Sequence, residues 1–262
     1  MTYRLLALDL DGTLLNSQGR VGARDAEALH ALAAKGVIIA PATARWYQAA
    51  RRPFDQLGVN VAAIASAGAD VRLADGSVVE QKPLSPAFAA FIAGLCDREG
   101  WTATFSVPGR AYTRANDLPP WATNAPEWLQ PVTHLRDADL SSLLSVLVET
   151  HGSDGGLAEV DGWRDELEQA TAVSFAGAVL HTFTAKGVDK GSGLRSLCAA
   201  AGIDPSEAVA VGDSEVDLPM FAAAGCAVAM GNSTPPARAA ASLVVAGVDE
   251  GGVAEAIERL WG

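Results

Sequence analysis

The chain has 262 residues, 49% of them hydrophobic and 19% charged, which excludes a disordered chain and supplies one large or two modest cores. Its formal charge of −12 disfavours a sequence-independent nucleic-acid partner, because that role needs a basic face to displace counterions. No apolar run is long enough to span a bilayer, the best being residues 140–148, so no membrane partner is expected.

Residues 1–10 are too short and too soon acidic for a signal peptide. Cys96, Cys198 and Cys226 follow neither a zinc spacing nor a disulfide framework, so a reduced, cytoplasmic chain is expected. Residues 4–10 (RLLALDL) read as a buried strand. Apolar residues at helical spacing run through 23–35 and stop at Gly36, the usual C-terminal helix signal. Residues 37–40 read as a second strand, 44–57 as a helix and 61–65 as a third strand. That rhythm implies an α/β fold, a Rossmann-like parallel sheet with helices on both faces. Such a fold presents its functional groups at the carboxyl ends of the strands.

The pattern then changes. Residues 71–73 and 77–80 flank Ala74-Asp75-Gly76, a hairpin turn. Beyond it, a helix at 86–99 mixes with strand-like runs at 101–107 and 172–175, while 116–131, rich in proline and tryptophan, reads as irregular. From Gly187 the first rhythm resumes, with helices at 191–201 and 218–224 and strands at 208–211, 226–230 and 243–246. An amphipathic helix at 253–261 closes the chain. The expected division is a discontinuous core, 1–81 and 185–262, with an inserted α+β cap domain at 82–184.

Asp9-Leu10-Asp11-Gly12-Thr13 leaves the first strand carrying two carboxylates. Ionised carboxylates at such a point are costly unless a cation compensates them. Gly12 lets the backbone turn tightly and approach a ligand. The plainer reading is a pair of turn caps; a calcium loop fails for want of the closing glutamate. Gly212-Asp213-Ser214-Glu215-Val216-Asp217 follows another apolar strand, so Asp213 arrives at the same sheet edge, unless the segment is only a helix N-cap. Asp9, Asp11, Asp213 and Asp217 together make an oxygen-rich site suited to a hard divalent ion, magnesium above all. Lys190, in Gly187-Val188-Asp189-Lys190-Gly191-Ser192-Gly193, opens a helix in the wrong order for a Walker A loop. It can instead reach back to neutralise phosphate and nucleophile, although a lysine beside a helix is more often a solvated group, and Lys186 competes. Thr43, past the second strand and before a helix, offers a hydroxyl and free amides to a phosphate, or else a routine N-cap. Convergence of all four segments on one rim carries the argument.

With DLDGTLL at 9–15, the Thr43 segment, Lys190 and GDSEVD in that order, the chain resembles the haloacid dehalogenase (HAD) superfamily of phosphohydrolases. Residues 228–232 (VAMGN) and 249–253 (DEGGV) are similar to its Cof-like branch, whose insert is a type IIB cap. The resemblance implies a magnesium-dependent phosphatase acting on a small phosphorylated metabolite, a sugar phosphate or similar, through an aspartyl-phosphate. In that scheme Asp9 is the nucleophile and Asp11 the general acid/base, while Thr43, Ala44 and Lys190 bind the transferring phosphoryl group. Magnesium falls to Asp9, Asp213 and the Asp11 backbone carbonyl, with Asp217 in support. A phosphomutase with the same aspartyl-phosphate, or a catalytically weak phosphate-ligand-binding protein, fits the same motifs. The chain departs from the branch at Val216, where asparagine is usual, at Ala67-Gly68-Ala69 for Asn-Gly-Ala, and at Ala44 for glycine. The first of these removes a phosphate donor. Trp101, Tyr112, Arg114, Trp121, Trp128 and His151 are conceivable specificity residues, with packing inside the cap as the plainer reading. His30, His134, His151 and His181 have no metal-like spacing.

Overall fold

The computed structural model describes residues 3–118, 127–152, 154–174 and 177–262. Its first element, β1 (Leu5–Leu8), is buried at every position, as a strand covered on both faces must be. Side chains alternate across it: Leu6 and Leu8 enter one hydrophobic cluster, Leu5 and Ala7 the other. The first cluster gathers α1 (Ala23–Ala34) and Phe54 of α2 (Tyr47–Leu57). β2 (Ile38–Pro41) pairs parallel with β1, Leu8 standing opposite Pro41.

Residues 61–65 run parallel beside β2, as expected of a third strand: Ala42 bridges Ile64, Ala62 N donates to Ile39 O and Thr43 N to Ile64 O, each at 3.0 Å. β3 (Ala63–Ala65) is shorter than the expected run and also opens a second, antiparallel sheet. Its ladder partner is β4 (Asp70–Arg72), antiparallel, and β4 in turn pairs with β5 (Val78–Gln81). The physical reason is the sharp reversal at Ser66–Gly68, which brings the chain straight back along β3.

Next comes a strand-rich insert. α3 (Pro86–Glu99) is capped by Ser85 and ends at Gly100 in the left-handed conformation. It covers a sheet built from β6 (Thr102–Val107), β7 (Arg110–Arg114), β8 (Leu129–Val132), β9 (Ser145–Glu149), β10 (Leu167–Val173) and β11 (Val179–Ala185). The order across this sheet is β10-β11-β9-β6-β7-β8. A short helix, α4 (Leu157–Val160), lies between β9 and β10. Phe88, Ile92, Trp101, Phe105, Val146, Val148 and Phe183 form its core. Thus the stretch read as irregular ends in a strand, and the apolar run at 140–148 enters β9.

The parallel sheet then completes itself. α5 (Lys190–Ala201), β12 (Ala208–Gly212), α6 (Leu218–Ala223), β13 (Cys226–Ala229), α7 (Pro235–Ala240), β14 (Leu243–Val244) and α8 (Gly252–Trp261) follow in turn. Its strand order is β14-β13-β12-β1-β2, parallel throughout. α1 packs on α8 over one face, and α5 and α6 cover the other. β1 lies between β2 and β12 with Leu8 opposite both Pro41 and Val211, so all three strands end at one rim. Among the described residues no helix is long and apolar enough to cross a membrane.

Candidate active site

Asp9 is the first residue past β1. Its amide still donates to Val211 O at 2.9 Å, which holds the residue in the sheet's line while its side chain is buried at the rim. The chain then turns at Gly12, where φ is +92° and a Cβ would stand 2.6 Å from Asp213 Oδ2. Glycine is therefore required twice over, by conformation and by contact. Thr13 Oγ1 donates to Asp213 Oδ1 at 3.1 Å, fastening the two acidic turns together.

Lys190 enters from the first turn of α5, whose start is fixed by a reciprocal cap between Asp189 and Ser192. Its Nζ donates to Asp9 Oδ1 and to Asp217 Oδ1, each at 2.7 Å, with only 4% of the side chain exposed. Lys186, the competing candidate, pairs instead with Glu168 at the surface. Asp217 is fully buried, and its other oxygen accepts from the amides of Asp213 and Ser214 at 2.9 and 3.1 Å. A Cβ on Gly212 would meet Asp217 Cγ at 2.4 Å, so this packing depends on glycine as well.

One buried ammonium thus faces Asp9, Asp217 and the neighbouring Asp213. Burial pushes the Asp9 carboxyl well above the usual carboxylate range; Lys190 opposes that rise, and Asp217, Asp213 and Asp11 add to it. Burial and the Asp217 charge push Asp213 up to about 6, again against Lys190. For Lys190, burial alone would lower the pKa, but Asp217 and Asp9 more than reverse it and raise it. The excess of negative charge calls for a further cation. Asp9, Asp213 and Asp217 each offer an oxygen, and these atoms lie within 4.8 Å of one another. An all-carboxylate set of this kind fits a hard divalent ion. Asp217 already uses both oxygens. Among the described residues Asp9 Oδ2 and Asp213 Oδ2 accept no hydrogen bond.

The carboxylate of Asp11 lies outside this cluster. It is 53% exposed and forms a two-pronged ion pair with Arg45, Nε to Oδ2 at 2.9 Å and Nη2 to Oδ1 at 2.5 Å. The turn at Gly12 sends it away from Asp9, and the Arg45 guanidinium supplies the partner. Nothing in the spacing of Arg45 links it to a carboxylate on another strand, so the sequence alone assigns it no role.

Thr43 is buried, with its hydroxyl accepting from the Arg45 amide at 3.2 Å. Ala44 is half-buried beside it. The expected helix start at Ala44 is displaced: α2 begins at Tyr47, with Trp46 as its N-cap. The reason is that Thr43 O and Arg45 O are taken by the amides of Ala67 and Ser66, and so do not serve helical bonds.

Asn232 likewise has no role that its spacing alone assigns. Its Nδ2 donates to Gly12 O at 2.8 Å while Oδ1 accepts from the Val248 amide at 2.9 Å. The same loop sends the Thr234 amide to Asp213 O at 2.8 Å. The loop therefore ties down both acidic turns, Asn232 the first and Thr234 the second. Outer partners of this kind are worth about 10–100-fold in metal affinity. Asn232→Ala is expected to weaken divalent-cation binding about tenfold, read as the magnesium dependence of melting of the metal-free protein. An affinity within about twofold of the parent's would reduce Asn232 to a loop tie.

The insert's conspicuous side chains mostly serve the insert. Trp101 and Tyr112 are buried in its core, Arg114 pairs with Asp117 at 2.7 Å, and His151 bonds Thr102 at 2.8 Å and Glu149 at 3.2 Å. Trp128 packs on Trp46 at 5.5 Å between ring centroids, joining insert to core. Trp121 lies outside the described residues. Val216 is half-buried in the 215–217 turn, against which β10 of the insert lies.

The chain matches the haloacid dehalogenase-like hydrolase family over residues 6–257. It is 33% identical to a phosphoglycolate phosphatase of Halorubrum lacusprofundi, over 92% of this chain and 90% of that protein. It is 26% identical to the phosphatase YwpJ of Bacillus subtilis, over 98% and 99% of the two chains. A haloacid dehalogenase-like hydrolase from B. subtilis shares the fold with a TM-score of 0.84 at 23% identity, covering 98% of this chain and 99% of that one.

Proposed function

The chain belongs to the haloacid dehalogenase-like hydrolase family, and from that premise we propose that it hydrolyses a small phosphate monoester by way of an aspartyl-phosphate on Asp9. It is a phosphoric monoester hydrolase, with full-length relatives named as phosphatases. The observation that carries the mechanism is the buried Lys190 ammonium shared by Asp9 and Asp217 at 2.7 Å each. It fixes the Asp9 carboxylate, leaves Oδ2 to attack phosphorus in line, and lowers the repulsion between two anions.

Thr43, Ala44 and Lys190 hold the transferring phosphoryl group in this reading. Asp11 protonates the departing alkoxide and then takes a proton from the water that cleaves the acyl phosphate. Arg45 must share or release Asp11 during each step, since the pair occupies both carboxylate oxygens. Asp9, Asp213 and the Asp11 backbone carbonyl would hold magnesium, with Asp217 behind them. Bound there, the ion supplies positive charge that stabilises the phosphoryl oxygens. Residues 82–184 act as a cap over the core formed by 1–81 and 185–262, excluding water from the rim. The free, buried thiols of Cys96, Cys198 and Cys226 suit a reducing cytoplasm.

Phosphate release from a panel of sugar phosphates, phosphoglycolate, pyridoxal phosphate and nucleotides, with chelator and with magnesium restored, tests this function. Magnesium-dependent release supports it. Isomerised product without release points to a mutase, and binding without turnover to a phosphate-ligand-binding protein.

The raised carboxylates add a pH signature. An unfolded aspartate titrates near about 3.9, whereas Asp213 in the fold is pushed up to about 6. In the metal-free protein its contribution to stability is therefore complete below about pH 4 and lost as pH rises through about 6. Asp9 shifts in the same direction. Magnesium competes with these protons. The metal-induced rise in melting temperature is thus expected to be larger at about pH 7.5 than at about pH 5.5. Equal rises at the two pH values would contradict the assignment of these carboxylates to the metal.

A further inference from the structure

Between β3 and β4 three consecutive residues have positive φ: Ser66 at 51°, Ala67 at 55° and Gly68 at 103°. Glycine adopts this region freely, whereas in alanine and serine the Cβ crowds the carbonyl. No side-chain bond rewards the conformation, because Ser66 Oγ is buried without a partner among the described residues. What holds the turn is its neighbours on either side. Ser66 N donates to Arg45 O and Ala67 N to Thr43 O, each at 2.8 Å. Opposite, Gly68 presses on the start of α5, where a Cβ would stand 2.1 Å from Asp189 O and 3.4 Å from Lys190 N. Residues held in such conformations persist where the surroundings over-determine them, and they cluster at functional sites.

We propose that the Ser66–Ala67–Gly68 turn is a positioning element for phosphate binding, a wedge that sets the separation between the Thr43–Arg45 loop and the Lys190 amino group. The inference rests on the phosphoryl-binding roles given above to Thr43 and Lys190. Relaxation of the turn to negative φ would swing both amides away from the carbonyls they anchor and withdraw the backing from the first turn of α5. No hydrogen bond joins the turn to Asp9, Asp213 or Asp217 among the described residues, so the effect falls first on phosphate affinity.

The test compares Ala67→Val, a branched residue that resists positive φ, with Ala67→Asn, which tolerates it. Inhibition by inorganic phosphate, KM and kcat for p-nitrophenyl phosphate, and melting temperature are measured for each. Ala67→Val is expected to raise KM and the phosphate inhibition constant together by about tenfold, with kcat changed less than about threefold. Ala67→Asn is expected to keep both constants within about twofold. Should the valine variant fail to fold, Ala67→Gly gives the same reading. Glycine removes the strain, so it melts no lower than the parent, while the inhibition constant rises about threefold as the turn loosens. An unchanged inhibition constant in the valine or glycine variant overturns the proposal, whether or not kcat and melting temperature fall. A parent protein that neither binds phosphate nor releases it removes the catalytic reading, and this inference with it. A parent that does both, with unaltered variants, sinks this inference alone.

Discussion

Replacing Asp9 with asparagine is expected to lower phosphate release from every accepted monoester by on the order of 10⁴-fold or more. The amide has the carboxylate's shape and keeps an oxygen for Lys190, but it is not a nucleophile. Asp9 lies in a place where burial opposes its ionisation, with Lys190 as the counterweight. Asparagine has no charge to bury, and Lys190 retains Asp217. The metal-free variant is therefore expected to melt no lower than the parent, which separates loss of chemistry from loss of fold. Phosphate release and a melting curve on the same preparation check both halves. Substantial magnesium-dependent turnover by Asp9→Asn would sink the nucleophile assignment.

Lys190→Ala is expected to damage fold and activity together. Lys190 is the cation that Asp9 and Asp217 share in a buried site, and Asp217 has no exposure to water at all. Removing one partner of a buried pair leaves an uncompensated charge and costs about 3–5 kcal/mol, on the order of 10 °C in melting temperature for a chain of this size. The double variant Lys190→Ala with Asp217→Asn removes the orphaned charge. It is expected to recover part of the stability and none of the turnover. Thermal melts of the two single variants and the double close the cycle. Additive losses would show that the contact carries no coupling, contrary to the geometry.

Fully buried strands were the legible part of the fold. β1 and β12 are short apolar runs that end on aspartate, and parallel pairing carries both to one rim. Asp9, Asp213 and Lys190 could be read from that pattern because each sits one step past a strand or at the start of a helix. The partner of Asp11 could not, since Arg45 reaches it from a different loop and charge pairing leaves no trace in spacing. The delayed start of α2 was hidden for a related reason: the carbonyls of Thr43 and Arg45 are claimed by a turn beyond β3. That turn was itself illegible, because its positive φ angles fall on serine and alanine rather than on glycine alone. In the insert, β7 begins and ends on arginine, which shortens its strand signal to Tyr112 and Thr113, and its pairing with β6 and β8 completes the strand.

Transfer of the phosphoryl group to Asp9 itself is the step on which the proposed function rests. Rapid acid quenching of the enzyme during turnover of a ³²P-labelled monoester, followed by peptide mapping, examines this most directly. Acid-stable, alkali-labile label is expected on the peptide containing Asp9, and none in Asp9→Asn. Steady phosphate release with no labelled peptide, retained by Asp9→Asn, would contradict it.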